Sequence, residues 1–136
     1  MARSAAPFSR RILLKSLAAL GLLGSLVAAD ASDALSVSLD EARAEFEAGR
    51  VVMIDIREPN EHATGVARGV RLLPMRELRS RLSEISTDPK QPVLLICNTQ
   101  NRSSRTLKAL RELGYGHVRY VKGGMSEWVR RGWPVV

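Results

Sequence analysis

Apolar residues along this chain fall into short runs cut by polar, glycine and proline breaks, and two periodicities alternate between the breaks. Val51 to Ile54 and Val93 to Ile96 are continuous four-residue apolar runs of the kind buried in a sheet, and Val70 to Leu73 and Val118 to Val121 are further short strands. Helical spacing fills the intervals. Ser38-Leu39-Asp40-Glu41 has the S-x-x-E form of a capping box, and Leu39, Ala42 and Phe46 share a face of the helix it begins, which Gly49 ends. Asn60 to Thr64 makes a short helical turn stopped by Gly65. Leu78, Leu82 and Ile85 form the stripe of another helix, followed by the breaker-rich linker Thr87 to Pro92. Leu107, Leu110 and Leu113 mark a further helix that Gly114 stops, and Ser126 to Arg131 is a last helical turn after Gly123-Gly124. Strands and helices alternate throughout, which predicts an α/β domain with a largely parallel sheet covered on both faces by helices.

One stretch concentrates the chemistry. Cys97 is the only cysteine and stands at the carboxyl end of the Val93 to Ile96 strand, where ligands bind in parallel sheets. The polar loop Asn98-Thr99-Gln100-Asn101-Arg102 follows, and Ser103-Ser104 are placed to cap the next helix. Loop N–H groups, the positive end of that helix and the charge of Arg102 all favour an anion at the sulfur. The functional reading is a nucleophilic or sulfur-carrying cysteine, set against the commoner fate of a buried structural thiol. A lone cysteine excludes an intrachain disulfide and a multi-cysteine metal site.

The first 31 residues read as a targeting segment: a basic start, the apolar run Leu17 to Ala29, and Ala29-Asp30-Ala31 as a cleavage site before Ser32. Ser9 to Lys15, S-R-R-I-L-L-K, resembles the twin-arginine export signal of bacteria. This divides the 136 residues into a signal peptide, 1–31, and one domain, 32–136. Formal charge is +7, but the leader contributes four basic residues and one acidic, so +4 remains on the domain. That excess is dispersed and aromatics are few, which argues against a nucleic-acid partner. His62 and His117 read as exposed or capping histidines, Trp128 and Trp133 as core anchors, and Arg76, Arg79 and Arg81 as a solvated helix face.

Four segments in order resemble the rhodanese-like domain. Asp55 to His62 is similar to its D-x-R-x-x-x-E motif, and Gly65 to Pro74 falls where the family has a G-H-I-P-G-A segment and a short strand. Cys97 to Arg102 matches its C-x-x-x-x-R loop, and Gly123 to Trp128 with Gly132 to Val135 resembles its closing G-G-x-x-x-W and G-x-P-V signature. The resemblance implies a central five-stranded, mainly parallel sheet and a sulfurtransferase needing no metal or organic cofactor. Cys97 would form the persulfide, and the amides of Asn98, Thr99, Gln100, Asn101, Arg102 and Ser103 would hold the anionic sulfur and the donor. Arg102 would stabilise the loop or the bound anion. Asp55 and Arg57 would support the mouth, or only pin their own turn through hydrogen bonds and an ion pair to Glu61. Partners would be a small sulfur-containing anion or a protein persulfide or thiol, in the periplasm, with the membrane met only during export. The alternatives are a non-catalytic sulfur-carrier or protein-binding module and, on a different chemistry, a cysteine-dependent phosphatase.

Two segments depart from the family pattern. Val66-Ala67-Arg68 replaces His-Ile-Pro, and Asn98-Thr99-Gln100-Asn101-Arg102 replaces the R-S-G-N-R found in many single-domain members. The loop thereby lacks a positive charge, which predicts weaker attraction for a dianion such as thiosulfate. It also lacks a glycine, which leaves open the backbone path at Gln100, since glycine reaches positive φ at no steric cost.

Overall fold

The computed structural model describes residues 34–136, so the leader reading lies outside the described residues. Five parallel strands form one sheet in the order β1-β5-β4-β2-β3, with β1 Ser36–Val37, β2 Val52–Asp55, β3 Arg71–Leu72, β4 Val93–Ile96 and β5 Val118–Val121. The expected five-stranded α/β architecture is the observed one. Because side chains alternate along a strand, β4 sends Leu94 and Ile96 to one face and Val93, Leu95 and Cys97 to the other. The first face is covered by α1 (Leu39–Glu47) and α4 (Gly124–Arg130), which add Leu39, Ala42, Met125 and Trp128. The second is covered by α3 (Asn101–Glu112), through Leu107 and Leu110, together with Leu73 and Ile85.

Several local rules operate as the sequence predicts. Ser38 caps α1 by accepting the Glu41 N–H at 3.2 Å. The chain leaves α1 through Gly49 and α3 through Gly114, both at positive φ. Trp128 anchors the core with Trp133 edge-on at 5.0 Å, and its indole N–H donates to the Pro134 carbonyl at 3.0 Å.

Other expectations are corrected. The helix expected over Leu78 to Ile85 is replaced by two 3₁₀ turns, Met75–Glu77 and Leu82–Glu84. Arginines tie this segment to the sheet edge: Arg71 donates to the Glu84 carbonyl at 2.9 Å and Arg81 to the Leu72 carbonyl at 3.2 Å. Arg81 also pairs with Glu77 and Glu84, and Arg76 with Glu58, so these two cations are engaged rather than merely solvated. Leu113 follows the last turn of α3 and is 64% exposed. The two-residue β1 was too short to show a period. A short α2 (Pro59–His62) occupies the predicted turn before Gly65.

Candidate functional site

The central strand β4 pairs with β2 so that Asp55 lies beside Ile96. Asp55 and Cys97 therefore stand together at the carboxyl edge of the sheet. The Cys97 side chain is 1% exposed and faces α3. Its Sγ lies 3.4 Å from the Ser103 backbone N–H and 3.4 Å from the Ser103 hydroxyl.

The serines do not cap the helix from outside, as the sequence suggested. Gln100 is the cap residue and its carbonyl accepts the Ser104 N–H at 2.9 Å, so α3 starts at Asn101 and Ser103 sits inside its first turn. That shift places a first-turn N–H, which has no partner within a helix, against the sulfur. The Ser103 hydroxyl also donates to the Gln100 carbonyl at 3.2 Å. It can accept from a Cys97 thiol while keeping that bond, or turn its proton toward a thiolate.

The other end of the loop is braced by α4. The Cys97 carbonyl accepts the Met125 N–H at 2.8 Å and the Asn98 carbonyl accepts the Ser126 N–H at 2.9 Å. In a trans peptide the next N–H points the opposite way, so the amides of Asn98 and Thr99 are turned away from α4. Gly124 makes the approach possible. Its φ is +60°, and a Cβ there would overlap the carbonyl oxygens of Thr99, Cys97 and Asn98, the last at 2.6 Å. Asn98, Thr99, Gln100 and Asn101 are all exposed at the mouth.

The charges are distributed differently from expectation. Arg57 does not pair with the Glu61 carboxylate. Its guanidinium is buried against Asp55, with contacts of 2.7 to 3.0 Å, and donates to the carbonyls of Gly65 at 2.8 Å and Glu61 at 3.4 Å. Asp55 and Arg57 thus pin α2 to the end of β2 from beneath the surface. Nor is His62 an exposed residue: its side chain is only 8% exposed, with Nε2 3.4 Å from Asp55. His117 is half-buried, its Nε2 2.6 Å from the Ser86 carbonyl.

Glu61 instead reaches across the site to Arg102, meeting it at 2.6 and 2.7 Å. Those hydrogen bonds hold the Glu61 carboxyl down at about 2, against a partial desolvation that opposes them. Arg102 is correspondingly raised, first by Glu61 and then by the charge of Cys97. The loop arginine is therefore half of an ion pair, not a free cation. A surface cavity of about 190 Å³ between Phe46, Glu47, Arg68, Trp128 and Pro134 lies on the α1 and α4 face and shares no residue with this loop.

A model of the rhodanese-like domain matches residues 38–131, from the cap of α1 to the end of α4. The chain belongs to the rhodanese-like family. Among its relatives, a sulfurtransferase of Allochromatium vinosum is 37% identical over 101 residues, 74% of this chain and 91% of that protein. The uncharacterized protein YqhL of Bacillus subtilis is 41% identical over 86 residues, 62% of this chain and 67% of its own length. A solved rhodanese-related protein from Thermoplasma volcanium superposes with a TM-score of 0.66 at 28% identity, covering 74% of this chain and 96% of that one.

This rhodanese-like loop is built without a glycine, and the backbone at Gln100 resolves the question that posed. Gln100 has φ −158° and ψ −4°, so the chain passes this position without a left-handed residue, and among the described residues every positive φ belongs to glycine. Sequence reasoning missed Glu61 as the partner of Arg102 and Gly124 as the surface on which the loop rests. Both lay in plain view as motif residues, but only the tertiary fold connects them to the cysteine.

Proposed function

We propose that this protein is a sulfurtransferase of the rhodanese type in which Cys97 carries the transferred sulfur as a persulfide. The observation that carries the reading is the convergence of the Ser103 N–H and hydroxyl on Sγ within a loop braced by α4. Such a cradle brings an N–H and a hydroxyl to the sulfur that attacks the donor and later departs from the transferred sulfur. The relationship to a protein named sulfurtransferase supports the same chemistry.

With thiosulfate as donor, the Cys97 thiolate attacks the outer sulfur, a new S–S bond forms, the old one breaks, and sulfite leaves with its electron pair. Cyanide or another thiophile then attacks the terminal sulfur and Cys97 returns as thiolate. No external oxidant is needed, because the sulfane sulfur arrives already at its oxidation level. Asn98 to Ser103 hold the donor, Arg102 with Glu61 fixes the loop, and Asp55 with Arg57 keeps the neighbouring turn in place.

The reading includes export to the periplasm, supported by the basic and apolar pattern of residues 1–31. Replacing Arg10 and Arg11 by lysine should hold the precursor in the cytoplasm if the twin-arginine route is used, and normal export of that variant would point to the general route. The direct test of function is intact mass before and after exposure to thiosulfate or a persulfide. A sulfur-sized gain that disappears in Cys97→Ala, together with cyanide-dependent turnover, is the expected result. A gain without turnover would indicate a carrier, and no gain with any donor would overturn the reading.

A further inference from the structure

Gln100 stands where a glycine is usual, and its side chain has found a use. Its Oε1 accepts the Gly123 N–H at 3.1 Å, joining the middle of the loop to the turn that opens α4. Gly123 has φ +82°, and a Cβ there would press on the Glu127 side chain at 3.1 Å. The same backbone turn supplies the N–H groups of Met125 and Ser126 to the carbonyls of Cys97 and Asn98. Three donors of one turn are thus committed to the loop, two through main-chain carbonyls and one through the Gln100 carboxamide.

The carboxamide bond continues inward to the sulfur. The Gln100 carbonyl accepts from the Ser103 hydroxyl at 3.2 Å and from the Ser104 N–H at 2.9 Å, and that hydroxyl meets Cys97 Sγ at 3.4 Å. With Cys97 donating as the thiol, a path runs from Gly123 through the side chain and backbone of Gln100, through the Ser103 hydroxyl, to the sulfur, and the Ser103 N–H meets the sulfur in either protonation state. A movement of Gln100 would displace the Ser103 hydroxyl and the start of α3 together.

We infer that Gln100 is a positioning residue for sulfur transfer, its carboxamide latching the active-site loop to Gly123 so that Ser103 stays in register with Cys97. The latch also fixes the amide orientation, with Oε1 facing the Gly123 N–H. The effect on rate rests on the sulfurtransferase reading, whereas the latch itself can be observed without turnover.

The experiment compares wild type with Gln100→Met, which keeps length but loses the acceptor, and Gln100→Glu, which keeps an acceptor and adds charge. Thiosulfate is the donor and cyanide the acceptor, with hydrogen exchange of the Gly123 amide followed by NMR. In Gln100→Met, kcat should fall about tenfold with little change in KM, and the Gly123 amide should exchange at least about tenfold faster. Gln100→Glu should restore Gly123 protection and most of kcat, while raising KM through repulsion of the dianion. Wild-type kcat in Gln100→Met, or a lowered kcat with unchanged Gly123 exchange, would overturn the inference. Absence of sulfur on Cys97 in the wild type would strike the sulfurtransferase reading instead, and Gly123 exchange would then decide the latch alone.

Discussion

Arg102 and Glu61 are 41 residues apart and meet in a two-point ion pair at 2.6 and 2.7 Å, joining the first turn of α3 to α2. Glu61 is at the same time bound to the local backbone, its carboxylate accepting the Glu58 N–H at 2.9 Å. The pair therefore connects the loop that follows Cys97 to the turn that Asp55 and Arg57 hold down. Two motifs with no sequence proximity become one mechanical unit, and the charge of Arg102 is spent largely inside it.

A pH dependence follows from this pair. The folded Glu61 carboxyl is lowered to about 2 from an ordinary value of 4.5. A depressed carboxylate stabilises the fold fully above its ordinary value and loses that contribution as pH falls through the folded value. The stability difference between wild type and Glu61→Gln should thus be largest above pH 4.5 and shrink toward pH 2. Both side chains are nearly a third exposed, so solvent screening limits the difference to the order of 1 kcal/mol. Urea unfolding across that range measures it, and a pH-independent difference would show that the pair contributes no linked stability.

Gly124 and Gly132 offer a matched comparison. Both have positive φ, +60° and +70°, but only Gly124 is pressed against the loop carbonyls, while a Cβ at Gly132 meets nothing within 4 Å. Gly132→Ala should cost about 1 kcal/mol, the left-handed penalty alone. Gly124→Ala should cost at least about 3 kcal/mol, because backbone must move to relieve the overlap, and it should reduce transfer beyond its effect on folding. Equal losses at the two positions, by thermal unfolding, would remove Gly124 from the support of the loop.

Much of this architecture was legible in the chain because the strands obey simple rules. The continuous apolar runs at β2 and β4 identify strands buried on both faces, and the capping box and terminal glycines bound α1 and α3. What escaped was decided by long-range contacts. The Leu78 to Ile85 stripe has helical spacing, yet it forms 3₁₀ turns that are tied to the sheet edge, Arg71 binding the Glu84 carbonyl and Arg81 the Leu72 carbonyl of β3. Ser103 looked like an external cap because the first-turn residues Asn101 and Arg102 carry no apolar signal. Glu61 reads from the sequence as the partner of the nearby Arg57, and burial of Arg57 against Asp55 leaves its carboxylate to Arg102 instead.

The last prediction separates sulfur from phosphorus and follows from loop length and charge. Only four residues, Asn98 to Asn101, lie between Cys97 and Arg102, so the ring of loop amides is small. A phosphoryl group presents three equatorial oxygens that gather charge in the transition state and need a wide ring of donors. A terminal sulfane sulfur is a single anionic atom, and the Ser103 N–H and hydroxyl already converge on its point of attachment. Hydrolysis of aryl phosphates should be negligible beside sulfur transfer. Thiosulfate should nevertheless be a weak donor, because the four loop side chains are uncharged and Arg102 is paired with Glu61. Adding a cation at the exposed Asn98 position supplies what the dianion lacks. Asn98→Arg should lower KM for thiosulfate about 1.5-fold to fivefold, the range of an exposed charge pair, and change kcat little, since the attraction is made equally in ground and transition states. Steady-state kinetics with cyanide as acceptor gives both constants. Phosphatase activity that vanished in Cys97→Ser, with no sulfur found on the protein from any donor, would replace sulfur transfer by phosphate chemistry.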